Sequence, residues 1–284
     1  MASLLLLSTA SLYFDSMPRA LQLVRESGLD GVELSVSPAN AWMRPKRLLA
    51  LAQAAGVRVA SVHPPTLPLP GWGRTPAGLR RVAALAAALP GCRIVVLHTP
   101  AARRPDDPRM HRFQANLAAL QAALDGTGVG IALENRNREP GEPLAWFDAP
   151  TALLDLARRE GCGIVLDTAH ASTLPGPLLE TYHIVRERLV NIHLSDVVSV
   201  GRWDRFSYPR SILGHHRLPG TGTLPLVALL AALGQSDYAG LVTLEVSPVA
   251  LRFWNRPAMR RLLGEAARTT RAGLAAGAPG QPAA

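Results

Sequence analysis

Short apolar runs alternate along the chain with longer Ala/Leu-rich stretches, and polar turns separate them. The runs are Leu4–Ser8, Gly31–Ser35, Val57–Val62, Arg93–Leu97, Val129–Leu133, Gly163–Leu166, Leu189–Ile192 and Gly240–Leu244. Brief continuous apolar runs of this kind read as strands covered on both faces. Between them, Pro18–Ser27, Pro45–Ala55, Thr75–Leu89, Pro108–Leu124, Ala149–Glu160, Pro177–Arg188, Leu224–Leu233 and Arg256–Arg271 read as helices. In Pro108–Leu124, the residues Met110, Phe113, Leu117, Leu120 and Leu124 recur at the three- and four-residue spacing of one buried stripe. Asp148 is placed to cap the helix that follows it.

Strict alternation of strand and helix predicts parallel strands, because each return to the same edge needs a crossover. An open doubly wound sheet would carry a Gly-rich phosphate loop after its first strand, and Ser8-Thr9-Ala10-Ser11 is not one. The pattern therefore predicts an α/β fold, a single (β/α)8 TIM barrel over residues 1–271, and 284 residues suit the ~250 typical of that fold. The segment 272–284 holds Gly, Ala, Pro and Gln with nothing to bury and is expected to be a disordered tail.

Composition narrows the setting. An apolar share of 48% supplies a core, while no run approaches the ~20 apolar residues of a membrane span. Leu4–Leu7 lacks a basic flank and reads as strand one rather than a signal peptide. The net charge of +9 is almost wholly arginine, since Lys46 is the only lysine; with so much Ala, Pro and Gly this reads as coding bias, with an anionic partner as the second explanation. No basic run interleaved with aromatics marks a nucleic-acid module. Cys92 and Cys162 lack a CxxC partner and read as packed thiols of a cytoplasmic protein.

Candidate chemistry sits at the strand ends. His63, His98, Glu134, Asp167, His193 and Glu245 each stand at the end of a predicted strand, and Glu33 lies inside the second. Taken singly, such a histidine reads as a packing residue and such a glutamate as a helix cap. A barrel, however, gathers all these ends into one mouth. Buried carboxylates without counter-charge would cost several kcal/mol each, so the set predicts a divalent cation held by oxygen and imidazole donors.

The segments Gly31-Val-Glu-Leu-Ser35, Leu97-His98, Ala132-Leu-Glu-Asn135, Leu166-Asp-Thr-Ala-His170, Asn191-Ile-His-Leu-Ser-Asp196, His215-His-Arg-Leu-Pro-Gly-Thr-Gly222 and Leu244-Glu245 resemble, in order, the xylose isomerase-like TIM-barrel superfamily. The resemblance implies a metal-dependent isomerase or epimerase acting on a sugar, sugar phosphate or polyol-derived ketone. It places the shared site for Mn, Mg, Co or Zn on Glu134, Asp167, His193 and Glu245. The same two glutamates, Glu134 and Glu245, are then the catalytic pair that moves protons through a metal-stabilised enediolate. His170 would face a substrate oxygen, and the small-molecule sugar would be the partner; barrels of this kind often pair as homodimers.

Other residues keep two readings. Glu33 is a candidate to bind substrate or to hold His63, and Arg202 to bind a substrate oxygen or phosphate. Asp196 is expected to support His193 from behind. His63, His98, His170 and His215 are candidates for a second metal or for substrate, because endonuclease IV, in the same superfamily, uses such histidines in a zinc cluster. That resemblance makes an abasic-site endonuclease, with nucleic acid as partner, the alternative function. Its Asp-Arg-His-His pattern is broken here, since Leu213 stands where that family has Asp two residues before His215. A ligand-binding barrel without catalysis is a third reading.

Overall fold

The computed structural model describes residues 3–277. Strands β1 Leu4–Ser8, β2 Gly31–Ser35, β3 Arg58–His63, β4 Ile94–His98, β5 Gly130–Glu134, β6 Gly163–Asp167, β7 Leu189–Leu194 and β8 Leu241–Leu244 run parallel in sequential order, and β8 closes on β1. Around them lie helices α1 Met17–Glu26, α2 Pro45–Ala55, α3 Pro76–Ala87, α4 Pro108–Leu124, α5 Pro150–Arg159, α6 Leu178–Val185, α7 Leu226–Gln235 and α8 Arg256–Ala276. The protein is a single (β/α)8 barrel.

Two apolar populations hold it together. Outward-facing residues such as Leu5, Leu7, Val32, Leu34, Val95, Leu133, Leu166, Ile192 and Leu244 pack with the helices into one core. Inward-facing Leu6, Ala60, Ile94, Val96, Ala132, Val165 and Leu241 form a separate plug inside the barrel. Side chains on a strand return to the same face every second residue. The positions that follow Val96, Ala132 and Val165 at that period are His98, Glu134 and Asp167, so polar chemistry sits directly above an apolar floor.

Two strands need an extra residue to join this arrangement. Val32 pairs with Val59 but Glu33 pairs with Ser61, leaving Ala60 as an inserted residue in β3. Ile164 likewise pairs with Leu189 and Val165 with Asn191, leaving Val190 inserted in β7. Each insertion changes the alternation within its strand. Ala60 and Val190 pack with the inner plug, and Ser61 and His63, Asn191 and His193 still face inward above them. Gly163 lies against the second bulge, where a Cβ would come 2.6 Å from Val190 Cγ2.

Two local expectations are corrected. Asp148 does not cap α5, whose N-cap is Ala149 with no side-chain bond. Its carboxylate instead takes both forks of the buried Arg136 guanidinium, at 2.8 and 3.0 Å, because an unpaired buried arginine is the stronger demand. The last helix also continues past Arg271 to Ala276. Its small residues have a use: a Cβ on Gly277 would lie 2.0 Å from the Ala231 carbonyl oxygen, so the helix end lies directly on α7. Residues 278–284 of the expected tail lie outside the described residues.

Candidate metal centre at the barrel mouth

The six strand-end residues converge. His98 pairs in register with Glu134, and Asp167 with His193, so neighbouring strands aim their last donors the same way. Glu134, Asp167, His193 and Glu245 each offer a ligand atom within 4.8 Å of all the others. His193 Nδ1 is 2.7 Å from Glu245 Oε2, 3.3 Å from Glu134 Oε1 and 3.9 Å from Asp167 Oδ2.

Local contacts fix the orientation of each donor. Asn135 clamps Asp167 by accepting its backbone N–H at 2.7 Å and donating to its carbonyl at 3.0 Å. Asp167 Oδ1 then accepts the His170 backbone N–H at 2.7 Å, starting the helical turn Thr168–Ala171. The His170 ring donates Nδ1–H to the Asn135 carbonyl at 3.0 Å. His63 donates Nδ1–H to the Pro64 carbonyl, which leaves its Nε2 facing the mouth.

Charge without a hydrogen-bond partner collects here. Glu134 Oε2, Asp167 Oδ2, His193 Nδ1 and Glu245 Oε2 are all buried and make no hydrogen bond. His193 Nε2 is already committed to Glu33, 3.1 Å away. One proton on Nδ1 could serve only one of three carboxylates. A divalent cation would serve all of them, and three carboxylates with one imidazole are donors that such an ion accepts. The residues therefore fit a bound divalent metal.

A second group shares Glu134. His63 Nε2 and His98 Nε2 face each other at 3.0 Å and lie 3.4 and 2.9 Å from Glu134 Oε2. These are three potential lone-pair donors around one point, and His63, His98 and Glu134 also fall within mutual ligand range. A third group comprises Asp167, His170 and His216.

Titration behaviour follows from this crowding. Burial pulls the His63 imidazole down, but hydrogen bonding and charge from Glu134, with Glu33 and Glu245 behind, push it up to about 9. His170 is likewise opposed by burial and raised to about 10 by Asp167, Glu134 and Glu245. The surrounding carboxylates, Glu33 foremost, hold His193 well above its ordinary value against desolvation. Burial works against ionised Glu134 and Glu245, yet the nearby imidazoles keep both below the usual carboxylate range. Asp167 is raised, chiefly by burial.

Several expectations change. Glu33 neither reaches the mouth nor holds His63; fully buried, it accepts from Ser61 at 2.7 Å and Asn191 at 3.2 Å, and lies against His193. Asp196 does not support His193. Its carboxylate accepts the backbone N–H groups of Val197, Gly220, Gly222 and Leu224, which ties down the loop after β7. His215 is outside all three groups; burial first, then the charges of His216 and Arg210, depress it to about 3. His216 takes its place, 3.2 Å from the Glu245 carbonyl through Nδ1. Arg202 is exposed and stacks over the neighbouring Trp203 ring at 5.0 Å, away from the cluster. Sequence reasoning overlooked His216 and the buried Arg136; an adjacent His-His pair was the only available signal for the former.

Fold and mouth together define a barrel of parallel strands with a carboxylate–imidazole centre at its carboxyl face. The chain belongs to the xylose isomerase-like TIM barrel family, whose model matches residues 21–269. No curated protein matches it by sequence. Among solved structures it is similar to an L-ribulose 3-epimerase (TM-score 0.71, 18% identity, covering 99% of this chain and 100% of that one). It is similar also to a D-allulose 3-epimerase from Methylomonas sp. in complex with D-allulose (TM-score 0.67, 19% identity, 95% and 97% covered). A third is the 3-keto-D-glucoside 4-epimerase of E. coli (TM-score 0.66, 16% identity, 94% and 99% covered). At such identities the likeness establishes the common fold.

Proposed function

We propose that the protein is a divalent-metal-dependent isomerase or epimerase of a sugar or polyol-derived ketone, with Glu134 and Glu245 as its proton-transfer pair. One observation carries this reading: the two glutamates approach His193 Nδ1 to 3.3 and 2.7 Å and share its centre, each with one buried oxygen lacking a hydrogen bond. The sugar epimerases that the fold resembles lend it support.

Glu134, Asp167, His193 and Glu245 would hold the ion, as Mn, Mg, Co or Zn. When bound, such an ion polarises a carbonyl and its adjacent hydroxyl and so acidifies the intervening C–H. One glutamate, held ionised by the imidazoles around it, takes that proton, leaving an enediolate. The other glutamate, protonated in its turn by a neighbouring imidazolium such as His170 beside Glu134, passes that proton to the opposite face in epimerisation or to the neighbouring carbon in isomerisation. His170 is oriented by its bond to the Asn135 carbonyl for contact with a substrate oxygen. Cys92 and Cys162 are unpaired and buried, as packed thiols of a cytoplasmic protein would be. Among the described residues no helix is long and apolar enough to cross a membrane.

Exchange of the α-proton of ketoses into D2O, followed by NMR, tests the reading. Metal-dependent exchange that Glu245→Gln abolishes is the expected result; undiminished exchange in that variant removes the role of Glu245. Phosphodiester hydrolysis at abasic DNA is a second reading, favoured by the 3.0 Å approach of His63 and His98 beside Glu134. Robust metal-dependent incision of abasic duplex would put it first.

A further inference from the structure

Glu245 is the member of the donor quartet that reaches solvent: its side chain is 16% exposed, against 1% or less for Glu134, Asp167 and His193. It opens into a cavity of about 370 Å³ enclosed by the loops after β1, β3, β7 and β8. A space of this size is within the range of small-molecule sites. The cavity walls are Tyr13, Phe14, Leu67, Ile212, Val246 and Val249, with His216 beside Glu245 at the inner end. Among the described residues no Lys or Arg lines it, so a phosphorylated end of a substrate would find no counter-charge there. At the rim Phe14 stacks on Phe253, with ring centroids 4.6 Å apart, and Trp254 meets Phe253 edge-on at 5.1 Å. Phe14 and Trp254 remain 67% and 65% exposed. Clustered apolar surface beside a polar reaction centre marks a binding site more often than scattered exposed residues do.

We propose that this cavity is an apolar subsite, and that the substrate is a neutral sugar or polyol derivative carrying a hydrocarbon or aromatic substituent. The reacting carbons lie at Glu245 and the substituent fills the space between Tyr13 and Val249. The substrate class rests on the proton-transfer reading given above; the subsite itself rests on the walls of the cavity.

Calorimetric titration of the purified protein, with and without added Mn(II), with methyl, butyl and hexyl β-D-glucosides and with glucose 6-phosphate tests it. Affinity should rise about fourfold for each methylene that enters the cavity, and glucose 6-phosphate should bind no better than the methyl glucoside. Ile212→Asp should flatten this gradient. Phe14→Ser, a change at an exposed position, should weaken it and keeps the test decisive if the first variant fails to fold. Equal affinity along the series, no binding at all, or preference for the phosphate overturns the subsite. Failure of the two readings is separable. A chain-length gradient without α-proton exchange keeps the subsite and removes the enzymatic reading, whereas exchange of short ketoses without a gradient does the reverse.

Discussion

Glu33 and His193 meet 3.1 Å apart inside the barrel, both shut off from solvent. The carboxylate comes from β2 and the imidazole from β7, far apart in the chain, and neither could be buried alone at tolerable cost. Ser61 and Asn191 share the same Glu33 oxygen, and Asn191 accepts from Thr243 at 3.0 Å, so the imidazole is held by a network anchored on four strands. Because Glu33 can accept only from Nε2–H, the opposite ring nitrogen, Nδ1, faces the acidic centre.

Replacing Glu33 with Gln should therefore weaken metal binding by about 10- to 100-fold while keeping the barrel, since the partner behind a ligating imidazole sets its basicity and tilt. Metal content after dialysis against a chelator series reads the effect. Unchanged affinity would remove Glu33 from the centre.

Loss of the proton-transfer pair should separate from loss of the fold. Glu245→Gln should retain the circular dichroism of the barrel and lower ketose α-proton exchange by about 10²- to 10⁴-fold, the usual contribution of a general acid or base. A variant that exchanges at the parental rate would leave Glu245 with ligation alone.

Metal loading should weaken on acidification. In the metal-free protein His63 and His170 stay protonated up to about pH 9 and 10, and His193 is raised as well. Their folded-state values exceed the ordinary ~6.5, so the stabilisation they give is complete below that pH and is lost as pH rises through 9 to 10. A metal must displace those protons, so binding at neutral pH should release protons and tighten toward pH 9. Calorimetry in two buffers of different ionisation enthalpy counts the protons. No release would contradict the charge state of these imidazoles.

Arg136→Ala should destabilise the protein by about 3–5 kcal/mol, because it leaves Asp148 buried with an uncompensated charge and frees Glu142 from its 2.8 Å contact. Arg136→Lys should recover little, since one ammonium cannot reproduce the two-pronged bond to Asp148. Urea melts followed by circular dichroism give the difference; equal midpoints for the three proteins would dismiss this pair as a stabilising contact.

Much of the architecture was legible because it repeats. Pro45–Ala55 and Pro108–Leu124 were readable to the residue from a proline start and a helical apolar stripe, and so were the strands Leu4–Ser8 and Gly31–Ser35. The gathering of Glu134, Asp167, His193 and Glu245 followed from one rule, that parallel strands end together. What escaped was pairing across the barrel. Nothing in the sequence says that Glu33 faces His193 rather than His63, because that depends on the residue inserted at Ala60 and again at Val190. The choice between His215 and His216 likewise turned on one residue of loop register, which no periodicity reports. Asp148 has the sequence context of a cap, and only the buried guanidinium of Arg136 explains why it serves elsewhere.

The inserted residues Ala60 and Val190 make shortening tolerable at two points inside the barrel wall. Val59 faces outward and Ser61 inward, as do Leu189 and Asn191, so removing either insertion restores plain alternation and leaves His63 or His193 on its own face. A scan of single-codon deletions should find these two aliphatic positions milder than Val62 or Ile192, whose loss does turn a histidine toward the helices.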